Sequence, residues 1–146
     1  MNIVFVCTGN TCRSPMAKGI FEKIAKERGG SHLKCDSAGV LVNKQSGATE
    51  NAVKVCREIG VDIAKHASKS ISSIDKKNVD LFVAMTKQHG EMIKNLGIDN
   101  EKIYVPDPEI EDPYGGDIYV YRKCRDEIEK AAEVLIDSLL LSGDLN

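Results

Sequence analysis

A cysteine and an arginine bracket a short loop between a predicted strand and a predicted helix near the start of the chain. Residues 3–6 form an apolar run, and Cys7 and Arg13 follow it in the pattern C-x5-R. Ser14 and Pro15 predict the helix start, as N-cap and first helical residue. A loop that turns its backbone N–H groups inward ahead of a helix binds anions, favours a thiolate and lets an arginine fork hold phosphate oxygens. The pattern therefore predicts a phosphoryl-transfer site.

Strand-like and helix-like segments alternate along the rest of the chain. The apolar patterns predict strands at 2–6, 32–36, 81–85 and 102–105, and helices at 15–28, 48–59, 87–96 and 117–141. This alternation is typical of an α/β fold, in which helices cover both faces of a parallel sheet. We expect one domain over residues 1–146 with three layers and four parallel strands. Because ligands bind at the carboxyl ends of such strands, the loops after the first and fourth strands should share one edge.

Composition excludes several classes of function. The net charge of −2 over 146 residues argues against nucleic acid or an anionic membrane as the main partner. The sequence has neither an apolar run of about 18 residues nor a signal-like start. Its five cysteines lack a short-spaced framework, which is typical of reduced thiols and predicts a cytoplasmic location. Its three histidines are scattered, so we expect no metal and no other cofactor.

The loop after the fourth predicted strand, residues 106–116, offers candidates for a catalytic acid. A thiolate nucleophile needs a carboxylic acid to protonate a poor leaving group. We favour Asp112, because Pro113 restricts its backbone and Tyr114 could form a wall beside it. Asp107 and Glu111 are interpreted as part of a solvated acidic loop.

These motifs together resemble the low-molecular-weight protein tyrosine phosphatase family. The resemblance covers nearly the whole chain, from the Cys7 loop through Ser37 and His66 to Asp112-Pro113-Tyr114. It implies a flavodoxin-like four-stranded parallel sheet and hydrolysis of phosphorylated protein side chains without a cofactor.

The resemblance also implies a role for individual residues. Cys7 would attack phosphorus and become phosphocysteine, Arg13 would clamp the equatorial oxygens, and Asp112 would protonate the leaving atom and then activate water. A hydrogen-bond network of Asn10, Ser14, Ser37 and His66 would shape the loop, and the Ser14 hydroxyl could donate to the Cys7 thiolate. The remaining members of the phosphate-binding loop would be Thr8, Gly9, Thr11 and Cys12.

The other cysteines are interpreted in two ways. Cys12 matches a second loop cysteine of some family members, where it forms a reversible disulfide that protects the nucleophile. The alternative for Cys12 is a small buried residue that happens to be cysteine. Cys35, Cys56 and Cys124 lie at apolar positions of a strand and two helices, so we expect them in the core.

Departures from the tyrosine phosphatase pattern bear on the substrate. Residues 40–43 contain no aromatic, Tyr114 is followed by Gly115 and Gly116, and Thr11 stands where tyrosine-specific members tend to have an aliphatic residue. These features resemble the bacterial protein arginine phosphatase branch. Thr11 and Tyr114 would then line the substrate pocket, and phosphoarginine would be the phosphorylated side chain.

Three alternatives stay open at this point. The chain could be a phosphotyrosine phosphatase of the same family. A thiol-dependent arsenate reductase shares the loop but needs further cysteines on a mobile segment, and none lies between Cys56 and Cys124. A flavodoxin-like module that binds phosphate groups or FMN without turnover belongs to another class, and it has no need for a thiolate.

Overall fold

The sheet contains four parallel strands, with the first strand in an inner position. In the computed structural model, which describes residues 1–141, the strands are β1 (Asn2–Cys7), β2 (Lys34–Gly39), β3 (Leu81–Ala84) and β4 (Ile103–Tyr104). Their order is β2-β1-β3-β4, and every neighbouring pair is parallel. The predicted α/β class and the four-stranded parallel sheet are confirmed. The predicted domain also includes residues 142–146, which lie outside the described part.

Four helices cover the two faces of the sheet. They are α1 (Arg13–Glu27), α2 (Glu50–Arg57), α3 (Lys87–Lys94) and α4 (Ile118–Leu141), and three short 3-10 turns lie between elements. The larger apolar cluster joins α1, α2 and α4 to one face, where the rings of Phe5 and Phe21 stand 5.3 Å apart. The smaller cluster packs Ile93 of α3 against Val4, Val6 and Phe82 on the other face. Burial of both faces explains why β1 is apolar at successive positions.

The second strand lies further along the chain than its alternation predicted. The prediction was 32–36, whereas β2 begins at Lys34 and ends at Gly39. Leu33 is held in a turn by the carbonyl of Gly30, and Lys34 donates to the carbonyl of Met1 at 2.9 Å. Pairing with β1 then carries the strand to Gly39, opposite Cys7. Parallel pairing therefore sets the ends of this strand, which local alternation does not reveal.

The first helix begins without the predicted cap. Ser14 was predicted as N-cap and Pro15 as first helical residue, but α1 begins at Arg13, and Cys12 precedes it without a side-chain cap. The Ser14 hydroxyl is wholly buried and turned to other partners. By contrast, Thr86 directly precedes the predicted helix 87–96 and is expected to cap it. This cap is confirmed, since Thr86 Oγ1 accepts from the His89 N–H.

The core cysteines follow the prediction in two of three cases. Cys56 and Cys124 are buried, but Cys35 on the edge strand β2 is half-buried and packs against the core. Burial raises the pKa of each of these three thiols to about 12. The apolar spacing within 117–141 predicts a buried stripe on α4 made of Tyr121, Cys124, Ile128, Ala131, Leu135 and Leu139. All are buried except Ala131, whose neighbour Ala132 takes the buried position. Within residues 1–141, no helix is long and apolar enough to cross a membrane.

Candidate active site

The loop from Cys7 to Arg13 connects the buried end of β1 directly to α1. Cys7 is the last residue of the strand and Arg13 the first of the helix. The first N–H groups of a helix have no intrahelical partner, and those of α1 are left without a side-chain cap. This end of the helix therefore carries the partial positive charge that favours an anion, and the cysteine sits beside it.

Asn10 holds the middle of this loop in a left-handed turn. Its φ of 57° is one that asparagine tolerates better than most residues. Its side-chain amide donates to Ser14 Oγ at 2.7 Å and to Ser37 Oγ at 3.0 Å, and its Oδ1 accepts from the backbone N–H of Lys69 at 2.9 Å. Both amide hydrogens and the amide oxygen are thus used inside the protein. The predicted network of Asn10, Ser14 and Ser37 is brought together.

The hydrogen bond from the Asn10 amide leaves the Ser14 hydroxyl as a donor to Cys7. Ser14 Oγ lies 2.9 Å from Cys7 Sγ. Since the hydroxyl oxygen already accepts from the Asn10 amide, its single proton is available for the sulfur. A hydroxyl that donates to sulfur stabilises negative charge on it. This use of Ser14 accounts for its absence from the helix cap.

His66 supports the same turn from outside. Its Nε2 lies 2.7 Å from the carbonyl oxygen of Asn10, and since a carbonyl only accepts, Nε2 carries the proton. Burial lowers the pKa of His66, so the ring is neutral near pH 7. The residue predicted as a network member therefore contacts the loop backbone.

Arg13 links the cysteine loop to the loop after β4. Its Nη1 donates to the carbonyl of Ile110 at 3.1 Å, and its Nη2 lies 3.7 Å from Asp112 Oδ2. The arginine side chain is nearly buried, whereas that of Asp112 is 55% exposed. The pair therefore contributes little to stability. The contact with Arg13 instead positions the Asp112 carboxylate at the mouth of the cleft.

The two aspartates of the second loop occupy different places. Asp112 Oδ1 accepts from the N–H of Tyr114 at 3.0 Å, which fixes its carboxylate beside the cysteine loop. Asp107 lies near Tyr104, whose pKa is raised by burial first and by the charge of Asp107 second. Only Asp112 of this pair lines the cleft above the cysteine. The lining of that cleft consists of Cys7, Thr8, Gly9, Thr11, Cys12, Arg13, Asp112 and Tyr114.

Two residues that the sequence analysis missed surround Cys12. Its Sγ lies 3.3 Å from the hydroxyl of Tyr121 on α4 and 3.6 Å from Oγ1 of Thr49, which caps α2. Burial and the neighbouring Cys12 raise the pKa of Tyr121 to about 12. The Thr49 N–H also donates to the carbonyl of Thr11 at 2.9 Å. A threonine before a helical pattern predicts a cap, but nothing in the sequence indicates that this cap meets the loop.

His89 is the third missed residue. It is 4% exposed, with Nε2 2.8 Å from Thr8 Oγ1 and Nδ1 2.9 Å from Thr86 Oγ1. Burial first and the charge of Arg13 second lower its pKa to about 4, so the ring is neutral near pH 7. The sequence signal was the spacing Thr86-x-x-His89, which predicts a helix cap and gives no hint of the contact to Thr8.

A buried cysteine beside a hydroxyl donor, a nearly buried arginine and an exposed carboxylate thus share one cleft. Such a set can bind a tetrahedral oxyanion, attack it with sulfur and exchange a proton with the leaving group. Among residues 1–141, no group of three or more His, Cys, Asp or Glu side chains is placed to hold a metal ion. The fold and the site define the class of cysteine-dependent phosphatases.

Comparison with known proteins identifies the family. The family model described as low molecular weight phosphotyrosine protein phosphatase matches residues 2–142. The chain therefore belongs to the low-molecular-weight phosphotyrosine protein phosphatase family, as its motifs indicated.

Relatives within the family carry two kinds of name. A protein-arginine-phosphatase of Bacillus subtilis is 37% identical, over 95% of this chain and 97% of its own. The low molecular weight protein-tyrosine phosphatase A of Mycobacterium tuberculosis is 32% identical, over 94% of this chain and 90% of its own. A solved structure of the YwlE arginine phosphatase, a cysteine-to-serine mutant with a phosphorylated active-site serine, has a TM-score of 0.90 and 35% identity, with full coverage of both chains.

Gly39 provides a test of how closely β2 approaches the cysteine loop. A Cβ on this residue would lie 2.6 Å from the carbonyl oxygen of Thr8 and 2.6 Å from Val42 Cγ2. We expect Gly39→Ala to lower the free energy of unfolding by about 1–3 kcal/mol, since the backbone of the loop must move. Urea denaturation measures this change.

Gly47→Ala is the matched control. A Cβ there would meet only the carbonyl oxygen of His66, at 3.6 Å. Its free energy of unfolding should stay unchanged or rise by up to about 1 kcal/mol, because alanine restricts the unfolded chain. Equal destabilisation by the two substitutions would contradict the close approach of Gly39 to the loop.

Proposed function

We propose that this protein hydrolyses phosphoarginine side chains of proteins through a phosphocysteine intermediate. The observation that carries the proposal is the shared cleft of Cys7, Arg13 and Asp112. The closest approach between the arginine and the carboxylate, 3.7 Å, leaves both groups within reach of one bound phosphoryl group.

In the first step Cys7 Sγ attacks phosphorus and the P–N bond breaks. The electron pair of that bond passes to the leaving guanidine nitrogen, which takes a proton from the Asp112 carboxylic acid. Arg13 binds the equatorial oxygens through its planar fork, and the N-terminus of α1 adds its partial charge. The Ser14 hydroxyl stabilises the sulfur anion before attack, since its proton is directed to Sγ.

In the second step water attacks the phosphorus of phosphocysteine. The Asp112 carboxylate takes a proton from that water, the P–S bond breaks, and the Cys7 thiolate and inorganic phosphate are released. The exposure of Asp112 supports this role, because its carboxylate must meet both the leaving group and the incoming water. Asp107, beside Tyr104, lies outside the cleft lining.

Features of the pocket rim support phosphoarginine as the substrate. Thr11 lines the cleft with a small polar side chain, and its carbonyl is fixed by the N–H of Thr49. Asp112 at the mouth places the carboxyl group that donates the proton beside the guanidine nitrogens of such a substrate. The 37% identity to a protein-arginine-phosphatase also supports this assignment.

Phosphotyrosine is the second candidate substrate. Tyr114 lines the cleft and is 73% exposed, so its ring is available to stack on a phenol. The 32% identity to a protein-tyrosine phosphatase supports the same alternative.

We also propose that residues 1–146 form one phosphatase domain that acts on phosphorylated proteins in the cytoplasm. The match of the family model to residues 2–142 supports the domain. The five free thiols support a reducing compartment. The net charge of −2 favours partners other than nucleic acid.

Substrate preference tests the role of Thr11. We expect wild-type protein to favour a phosphoarginine-bearing protein over a phosphotyrosine peptide, measured as kcat/KM for each. Thr11→Ile should reduce the ratio of kcat/KM on phosphoarginine to kcat/KM on phosphotyrosine by about 10-fold. The aliphatic side chain has no hydroxyl to contact the guanidine group, and it suits a phenol ring. Thr11→Ser, which keeps the hydroxyl, is the matched control.

Cys7→Ser should abolish turnover of both substrates. A wild-type preference for phosphotyrosine would replace the proposed substrate and leave the chemistry intact. Turnover of neither substrate by wild-type protein would favour a non-catalytic phosphate- or FMN-binding module instead.

The identity of the acid is tested by two asparagine substitutions. Asp112→Asn should lower kcat on phosphoarginine by about 100-fold or more, because the amide neither donates the required proton nor activates water. Asp107→Asn should keep kcat within about 2-fold, since its carboxylate lies outside the cleft. The reverse order in steady-state assays would move the acid to Asp107.

A further inference from the structure

His89 is a buried titratable residue that the proposed mechanism does not use. It lies in the first turn of α3, on the side of the cysteine loop away from Ser37 and His66. Both ring nitrogens have partners, Nε2 with Thr8 Oγ1 at 2.8 Å and Nδ1 with Thr86 Oγ1 at 2.9 Å. The ring therefore bridges the N-cap of α3 and the first residue after the cysteine.

We propose that His89 is a positioning residue, which holds the first half of the phosphate-binding loop in its anion-binding shape through Thr8. This inference rests on the proposed function, since it assigns a part of the same site. The phosphate-binding loop is then held by hydrogen bonds at two places. Asn10 and its partners hold the middle of the loop from the β2 side, and His89 holds its start from the β3 side.

The exposure of the two threonines favours one tautomer for the ring, since Thr8 is exposed and Thr86 is half-buried. Thr86 Oγ1 accepts the backbone N–H of His89, so its own proton is available for Nδ1. Nε2 then carries the ring proton and donates to Thr8 Oγ1. That arrangement leaves the Thr8 hydroxyl proton free for an acceptor in the cleft, which Thr8 lines.

The other tautomer makes the same number of hydrogen bonds but leaves the proton of a different hydroxyl without a partner. If Nδ1 carried the proton, Thr86 Oγ1 would accept from both the ring and the backbone, and its own proton would have no partner in this chain of contacts. The Thr8 hydroxyl would then donate its proton to Nε2. The first tautomer instead leaves the proton of the exposed Thr8, which solvent or an anion in the cleft can accept. The site thus gains an oriented hydroxyl beside the cysteine.

The position of the bridge explains why it would matter for phosphate binding. Thr8 follows the nucleophile directly, and its carbonyl accepts the N–H of Leu41 at 2.9 Å. The backbone between Cys7 and Gly9 is therefore held at the carbonyl by the segment after β2 and at the side chain by His89. Release of the side chain allows the peptide groups that face the anion to rotate.

Four variants test the proposal: His89→Phe, Thr8→Val, the double variant of both, and His89→Gln. The measurements are the Kd of inorganic phosphate by calorimetry and kcat/KM on an aryl phosphate. We expect His89→Phe and Thr8→Val each to weaken phosphate binding by about 5- to 10-fold, as for loss of one hydrogen bond. The double variant should bind phosphate no more weakly than Thr8→Val alone, because His89 acts through the Thr8 hydroxyl, which that variant already lacks.

His89→Gln should recover most of the phosphate affinity, since its amide nitrogen can donate to Thr8. His32→Phe, at an exposed histidine, is the matched control and should bind phosphate as wild type does. A purely structural histidine would lower Tm without changing the Kd of phosphate. Wild-type phosphate affinity in His89→Phe would overturn the proposal. So would failure of His89→Gln to recover the affinity lost in His89→Phe, or multiplied losses in the double variant.

The outcome is separable from that of the proposed function. Calorimetry needs no turnover, so the effect of His89 on phosphate binding is measured even if the wild-type protein hydrolyses neither substrate. If His89→Phe fails to fold, His89→Asn takes its place, because the shorter side chain draws the amide back from Thr8: weaker phosphate binding than in His89→Gln supports the positioning role, and equal binding overturns it.

Discussion

The side-chain amide of Asn10 is the interaction on which the site depends. A loop that presents its N–H groups to an anion must turn sharply, and here the turn passes through a left-handed residue. The amide uses both hydrogens and its oxygen on Ser14, Ser37 and the backbone of Lys69. Because it donates to the Ser14 hydroxyl, it also directs that proton to Cys7. One side chain thus sets the shape of the loop and the electrostatic environment of the nucleophile.

The parallel sheet supplies the frame for this arrangement. β1 lies between β2 and β3, so Ser37 on one neighbour and the segment after the other both meet the loop that leaves β1. Arg13 then joins this loop to the one that follows β4, through the carbonyl of Ile110 and the carboxylate of Asp112. Cys7 and the proposed acid come together because both loops leave the carboxyl edge of the same sheet.

Much of this follows from the sequence, and the exceptions share a physical cause. The fold class, the helix stripes and the clustering of the Cys7 loop with Asp112 were predicted from periodicity, turn residues and motif spacing. The prediction failed for Ser14, because a local capping rule competed with a buried hydrogen-bond network that forms only when β2 is in place. It failed for the ends of β2 because pairing with β1, and not local alternation, decides where that strand begins.

The residues that were missed lie far from the loop in sequence. Thr49, Tyr121 and His89 reach it from α2, α4 and α3, and each contact requires the tertiary arrangement of those helices. A single sequence identifies the chemical groups of this site, since the motif itself encodes them. It does not identify the groups that hold the motif in position.

A covalent bond between Cys7 and phosphorus distinguishes the proposed hydrolysis from binding without turnover, and trapping the phosphocysteine intermediate shows whether that bond forms. An activated aryl phosphate is mixed with Asp112→Asn protein, in which attack of water on the intermediate is slowed, and the reaction is quenched in acid. Intact-mass measurement and peptide mapping should then find one phosphoryl group on Cys7, and none in the same variant that also carries Cys7→Ser. A phosphoryl group on a histidine or on any residue other than Cys7 would rule out this mechanism, as would turnover without a covalent intermediate.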